Sequence, residues 1–283
     1  MKILLTGANG QLGRCFQDRL PAGWEILATD SAELDITDLQ NVEQTVKAFQ
    51  PDAIVNAAAY TAVDKAESEP ELAEKINVAG TENLAIVASK HKIRLVHVST
   101  DYVFDGNATE PYREDSATNP LSVYGKTKLA GEQAVAKISP EAIIIRTAWV
   151  FSEYGNNFVK TMLRLAKEHD TLSIVADQKG CPTYAGDLAL AIISLIEKNV
   201  KGGIYHYCGD KEVSWYEFSK EIFKNAVINS VIKEVPTLLA IATEQFPTPA
   251  SRPQYSVLGC DKINELNISL SNWESSLKNI ILK

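Results

Sequence analysis

Short apolar runs alternate with longer amphipathic stretches through the first 150 residues of the chain. The runs Ile3–Thr6, Glu25–Thr29, Ala53–Asn56, Leu95–Ser99 and Ile143–Arg146 are predicted as strands, and the stretches between them as helices. That alternation predicts βαβ units and a parallel sheet. Glu71–Lys90 reads as one long helix, with Leu72, Ile76, Ala79, Leu84 and Val87 spaced as a core-facing stripe. Beyond residue 150 the pattern loosens. Phe158–Lys167, Asp187–Lys198 and Trp215–Asn225 predict helices, and Leu172–Val175 and Ile204–Cys208 predict strands. Turn signals gather near the end, in Pro247-Thr248-Pro249 and Arg252-Pro253. No internal repeat or low-complexity segment is present.

Composition narrows the class without deciding it. The chain has 283 residues, 45% hydrophobic and 23% charged, which suits a soluble globular protein with a substantial core. A net charge of −8 argues against a nucleic-acid partner, since phosphate-backbone binding rests on clustered Lys and Arg. Cys15, Cys181, Cys208 and Cys260 are scattered, with no CxxC pair, and are expected as free buried thiols of a reducing, cytoplasmic compartment. The opening apolar run stops at Thr6-Gly7, so it is expected as a buried strand rather than a signal peptide. No apolar run reaches the roughly 18 residues of a membrane span, so no membrane association is expected.

The first strand runs straight into Gly7-Ala8-Asn9-Gly10-Gln11-Leu12-Gly13, which opens the first helix. Glycines at such a turn let the backbone approach a pyrophosphate, whose charge a helix N-terminus favours. This context makes Gly7, Gly10, Gln11, Leu12 and Gly13 a dinucleotide cradle. Asp30 ends the second strand, where a carboxylate meets the adenosine ribose hydroxyls and favours NADH over NADPH; Arg14 would favour the opposite choice. Asp35 and Ile36 are placed to flank the adenine, and the small residues Ala57, Ala58 and Ala59 after the third strand suit close packing along the cofactor. The expected fold is thus α/β, a Rossmann-type doubly wound parallel sheet with a smaller C-terminal substrate lobe. Residues 1–150 form its NAD(P)-binding domain, later strands within about 172–208 return to that domain, and residues 151–283 are mainly substrate lobe.

Tyr124 and Lys128 stand four apart at the start of a helical segment, so both project from one face. A phenol with an ordinary pKa of about 10 is a poor acid–base group unless a cation lies close, and Lys128 is placed to be that cation. In ketone reduction, carbon accepts hydride while a proton reaches oxygen, which makes Tyr124 the candidate donor. Ser99 and Thr100 end the fourth strand, where ligands bind in open α/β folds. Adjacent strand residues face opposite ways, so one of these two hydroxyls reaches the site.

Taken together, these motifs resemble those of the extended short-chain dehydrogenase/reductases, and more closely the dTDP-4-dehydrorhamnose reductases. The matching stretches are Thr6–Gly13, Val55–Pro70, Ser99–Phe104, Tyr124–Glu132, Arg146–Val150, Gly155–Lys167, Asp177–Thr183 and Pro247–Pro253, spread over the whole chain. The resemblance implies reduction of the 4-keto group of dTDP-4-dehydro-β-L-rhamnose by NADH or NADPH. It implies Thr100 as hydroxyl partner, Tyr124 as proton donor, and Lys128 as the residue that lowers the Tyr124 pKa and holds the nicotinamide ribose. Asp101 and Trp149 would contact the sugar nucleotide, although a helix cap and a core aromatic are the plain readings of these residue types. Asn157, Gln178 and Arg252 would bind the nucleotide diphosphate. Some members of the family dimerise around magnesium held by glutamates; the corresponding positions here are Cys15 and Gly186, neither suited to a hard cation, so no metal site is expected and the chain is expected as a monomer or a homodimer without a metal bridge. A non-catalytic NAD(P)-binding subunit, or another sugar-nucleotide reductase or epimerase, is the alternative reading.

Overall fold

The computed structural model describes residues 1–281. Five strands, β1 (Lys2–Thr6), β2 (Glu25–Thr29), β3 (Ala53–Asn56), β4 (Arg94–Thr100) and β5 (Ile143–Thr147), form a parallel sheet that Gly203–His206 extends at the edge beyond β5. The spatial order is Gly203–His206, β5, β4, β3, β1, β2. Chain direction across the sheet therefore reverses between β1 and β3, and the crevice outside their carboxyl ends is where such sheets bind ligands.

Helices cover both faces because the inner strands are apolar on both. One face carries Leu4, Ile54, Leu95 and Ile144 against the helices α2 (Leu39–Phe49) and Thr81–His91. The other carries Ile3, Leu5, Val55, Val96 and Ile145 in a cluster that runs on through Ala185–Glu197 into the C-terminal lobe. The polar residues Asn56, His97 and Arg146 of the same strands are buried as well. Among the described residues, no helix is long and apolar enough to cross a membrane.

Two details depart from the sequence expectation. Of the later strands expected to return to the main sheet, Gly203–His206 does so, whereas Thr171–Val175 pairs with Thr237–Ile241 in a separate two-stranded sheet. Only Leu172 and Ile174 of that strand are buried, and a half-buried strand fits a small sheet better than a doubly covered one. The segment predicted as one helix over 71–90 is helical throughout, but Lys75–Gly80 is π-helical between Pro70–Glu74 and Thr81–His91. The wider π turn shifts the register. Ala73, Asn77, Thr81, Leu84 and Ala88 face inward, Leu72 borders the cavity, and Ile76 borders the cavity while packing against the edge of the core.

Candidate active site

Every residue expected at the cofactor and the reacting centre borders one cavity of about 980 Å³ at the carboxyl ends of β1, β3 and β4: the glycine-turn residues, Asp30, Asp35, Ile36, Ala57–Ala59, Thr100, Asp101, Tyr124, Lys128 and Trp149. The floor is built by close backbone approach. Gly7 adopts φ +69°, and a Cβ there would stand 2.7 Å from the Ala57 carbonyl carbon, so only glycine lets the turn cross the end of β3. The helix α1 (Gln11–Gln17) that follows has no side-chain cap, which leaves its first N–H groups for an anion in the cavity. Asn56 Oδ1 accepts from Thr6 Oγ1 and from the Ala58 N–H at 3.1 Å, and so shapes the small-residue wall. Asp30 closes the far end: its carboxylate accepts from the N–H groups of Asn9 and Ser31 at 3.0 and 2.9 Å. This cradle fits a dinucleotide, with a glycine floor for the pyrophosphate and a carboxylate at the ribose end.

The catalytic helix, Val123–Ile138, is started by Ser122, whose Oγ accepts from the Gly125 N–H at 3.1 Å. A Cβ on Gly125 would collide with the Tyr102 carbonyl. The glycine in Tyr124-Gly125-Lys126 thus lets this helix dock on the turn after β4, which sets Tyr124 beside Thr100. Tyr124 packs edge-on against Tyr102, with ring centroids 5.4 Å apart. Desolvation pushes the Tyr124 phenol up to about 12, against a hydrogen bond with Thr100 that lowers it. The expected lowering by Lys128 does not appear. Lys128 is itself buried, and its Nζ donates to the Val98 carbonyl at 2.7 Å. Burial pulls its pKa down to about 8, with the Glu132 carboxylate opposing. At neutral pH Tyr124 therefore carries its proton, which is the form a proton donor needs, and Lys128 is largely charged.

Thr100 Oγ1 accepts from the Tyr102 N–H at 3.2 Å and donates to Asp101 Oδ1 at 3.0 Å. Ser99 borders the same cavity with its hydroxyl buried and without a partner, and Thr100 is the one of the two that lowers the Tyr124 pKa. Behind Lys128 lies a charged layer. Arg146 donates to Glu132 at 3.0, 3.2 and 2.7 Å, with both side chains 3% exposed. Arg146 Nη1 also lies 3.4 Å from His206 Nε2, and burial with the Arg146 charge pulls His206 down to about 3.

Asn157, Gln178 and Arg252 do not border the cavity. Asn157 accepts from the Lys160 N–H as the cap of the helix Phe158–Glu168 and donates to Gln11 Oε1 at 2.9 Å. Arg252 pairs with Asp64, at 3.0 and 2.8 Å, so its guanidinium is engaged by a carboxylate rather than open to a phosphate. Gln178 accepts from Trp215 Nε1 at 3.2 Å, and Trp215 stacks on Trp149 at 3.4 Å between centroids and 6° between planes. Gln178 therefore reaches the cavity wall only through two indoles. Trp215 lies in no chemical motif, and Tyr102, although inside the matching stretch Ser99–Phe104, was assigned no role from the sequence. Asn77 was missed too; it holds both the N–H and the carbonyl of Tyr60 and donates to Thr127 Oγ1, tying the π turn to the catalytic helix. At the positions considered for magnesium, Cys15 is buried with its thiol pushed up to about 12, and Gly186 packs against the Arg19 guanidinium. Among the described residues, no group of three or more His, Cys, Asp or Glu side chains is placed to hold a metal ion.

The family model described as the RmlD substrate binding domain matches residues 1–283. The chain is 49% identical to the dTDP-4-dehydrorhamnose reductase of Aggregatibacter actinomycetemcomitans, over 99% of this chain and 98% of that one. Its fold is similar to the crystal structure of a dTDP-4-dehydrorhamnose reductase from Clostridium acetobutylicum, with a TM-score of 0.94, 44% identity, and 99% and 98% of the two chains covered. It is similar as well to a dTDP-4-dehydrorhamnose reductase from Bacillus anthracis in complex with NADP, with a TM-score of 0.93, 40% identity, and 99% and 98% covered.

Proposed function

The chain belongs to the RmlD family of dTDP-4-dehydrorhamnose reductases, and on that premise we propose that it reduces the 4-keto group of dTDP-4-dehydro-β-L-rhamnose to dTDP-β-L-rhamnose with NADH or NADPH. The observation that carries this reading is that Tyr124, Thr100 and Lys128 share one cavity with the glycine turn. When bound, the reduced nicotinamide supplies hydride to the ketone carbon. Tyr124 holds the proton for the ketone oxygen, in the protonated form that its pKa of about 12 preserves at neutral pH. Thr100 lowers the Tyr124 pKa against burial, and Lys128, on the wall of the same cavity, is the cation placed to hold the nicotinamide ribose. The N-terminal sheet with its Gly203–His206 strand is the dinucleotide half, and the remaining C-terminal segments with Trp149 and Trp215 form the sugar-nucleotide side. Asp101 and Trp149 are the substrate contacts supported by cavity position. Four free buried cysteines suit a reducing, cytoplasmic setting. With Cys15 and Gly186 at the metal-dimer positions, the protein works as a monomer or a homodimer without a metal bridge.

Purified protein mixed with the keto sugar will oxidise NADH or NADPH, followed as loss of nicotinamide absorbance. Absence of oxidation with any dTDP-4-ketosugar and either cofactor would sink the reading. Running both cofactors side by side also tests Asp30, whose carboxylate repels a 2′-phosphate and favours NADH.

Lys128→Met will weaken cofactor binding and lower kcat. The sign of its pH effect follows from the depressed pKa. The cation is present below about 8 and lost above it, so the wild-type rate falls as pH rises through that value. In the Met variant that alkaline limb disappears and the optimum extends upward. A pH profile superimposable on wild type removes Lys128 from the chemistry.

A further inference from the structure

We propose that Gln178 and Thr243 are positioning residues for the sugar, which set the Trp149 indole as a fixed apolar wall for the C–H groups of the deoxysugar ring. The inference rests on the reductase reading above and adds to it the residues that orient its substrate. Trp149 borders the cavity together with Tyr124 and Thr100, whereas Trp215, Gln178 and Thr243 do not. The Trp149 backbone stands at φ +49°, in the left-handed region that a bulky residue enters only under constraint. Its ring lies 3.4 Å from that of Trp215 between centroids, with 6° between planes, which leaves almost no offset. Aromatic rings free to choose prefer an offset or edge-on meeting over such a sandwich. Two unfavourable arrangements thus meet at one cavity residue, and the surroundings impose both.

A short two-stranded ribbon supplies the constraint, pairing Gly180 with Val213 and Lys179 with Ser214. One strand brings Gly180 against the indole, where a Cβ would stand 2.5 Å from Trp149 Cε2. The other ends at Ser214, which caps the helix Trp215–Ile228 and so opens it on Trp215. The Trp149 carbonyl accepts from the Thr183 N–H at 3.2 Å, which holds the backbone on the same side. A chain of hydrogen bonds running in one sense then orients the Trp215 ring. An indole N–H can only donate, so Gln178 Oε1 accepts from it, at 3.2 Å. That leaves the Gln178 amide nitrogen to donate to Thr243 Oγ1 at 3.2 Å, and Thr243 Oγ1 donates in turn to Asp177 Oδ1 at 2.7 Å. The Thr243 N–H is held by the other oxygen of that carboxylate at 3.0 Å.

Gln178 is 5% exposed, so water does not replace a bond it loses. Every polar end of the chain is matched, and the Trp215 ring has one orientation in which that holds. Trp215 passes the orientation to Trp149 through the stack, and Trp149 presents it to the cavity. An apolar wall there takes the C–H groups and the methyl of a 6-deoxysugar, while the polar groups of the same cavity take its oxygens. A wall that cannot tilt holds the ring in one pose against Tyr124.

Gln178→Leu keeps the bulk of the side chain and deletes both of its hydrogen bonds. A wall touches the sugar alike before and during reaction, so the loss falls on KM rather than kcat. The KM for dTDP-4-dehydro-β-L-rhamnose is expected to rise about 3–10-fold, the span of one neutral hydrogen bond, with cofactor affinity unmoved. Thr243→Val leaves Gln178 and both indoles in place and moves the same constant in the same direction by less, which keeps the proposal testable if Gln178→Leu fails to fold. The second readout is the indole N–H spectrum of ligand-free protein labelled with nitrogen-15 tryptophan. Both variants are expected to shift the Trp215 and Trp149 signals and to leave those of Trp24 and Trp273 in place. A raised KM with the Trp149 signal unmoved means that Gln178 meets the ligand itself, and overturns the proposal. An unchanged KM, or a matching loss of cofactor affinity, overturns it as well. Failure of wild type to oxidise either cofactor would count against the reductase reading instead, with the Trp149 signal of the ligand-free variants still deciding whether Gln178 and Thr243 position that ring.

Discussion

Tyr124→Phe will retain cofactor binding and lose kcat by about 10²–10⁴-fold, the range set by removal of a positioned general acid. The substitution deletes one oxygen and little else. The ring keeps its edge contact with Tyr102, and the glycine contact that docks the helix, at Gly125, is untouched. Thr100 remains held by Tyr102 N–H and Asp101, so the substrate side of the cavity is preserved. What disappears is the phenol hydroxyl that Thr100 tunes, and with it the proton for the ketone oxygen. Because desolvation holds the wild-type phenol near 12, Tyr124 contributes no limb to the pH profile in the neutral range. The loss in the Phe variant should therefore be uniform from mildly acidic to mildly alkaline pH. Steady-state kinetics across that range, with cofactor affinity measured by fluorescence quenching, check both halves. Near-normal turnover would remove Tyr124 as donor.

How far the sequence could carry the reading depends on the distance over which each feature is determined. The strands at Ile3–Thr6 and Ala53–Asn56 and the turn at Gly7–Gly13 are local: an apolar run followed by glycines has few structural solutions. The Tyr124–Lys128 spacing is local as well, fixed by helix geometry once Ser122 starts the helix. The phase of the 71–90 helix was not legible, because the π turn that carries Asn77 inward is fastened by Asn77 to Tyr60 and Thr127, partners far away in sequence. Arg252 carried a phosphate-binding expectation from its matching stretch and its type, and only the fold brings Asp64 to it. Gln178 lay in a matching stretch, yet its action through Trp215 and Trp149 is a tertiary fact with no periodic signature. The Lys128 pKa illustrates the same limit. Charge proximity was readable from spacing, whereas the burial that outweighs it was not.

Glu132→Leu should be the most destabilising single change near the site, although Glu132 touches neither ligand nor Tyr124. Its carboxylate accepts three bonds from Arg146 between 2.7 and 3.2 Å. Both side chains are 3% exposed, so solvent cannot replace the lost partner. Removal leaves a buried guanidinium with the neutral His206 Nε2 at 3.4 Å and the Phe104 ring face at 5.1 Å, contacts too weak to offset its desolvation. Breaking one side of a buried pair costs about 3–5 kcal/mol, or roughly 5–8 °C in Tm for a chain of this length. The double variant Glu132→Leu with Arg146→Met should recover much of that loss, since no buried charge is then left unpaired. The effect also reaches the chemistry. Glu132 raises the Lys128 pKa against burial, so its removal lets Lys128 lose its proton at lower pH and moves the alkaline limb of the rate profile down from about 8. Thermal unfolding of the single and double variants tests the first effect, and the pH profile of the folded single variant at low temperature tests the second. A Tm within a few degrees of wild type would mean that water reaches Arg146, and an unmoved limb would mean that Lys128 does not sense Glu132.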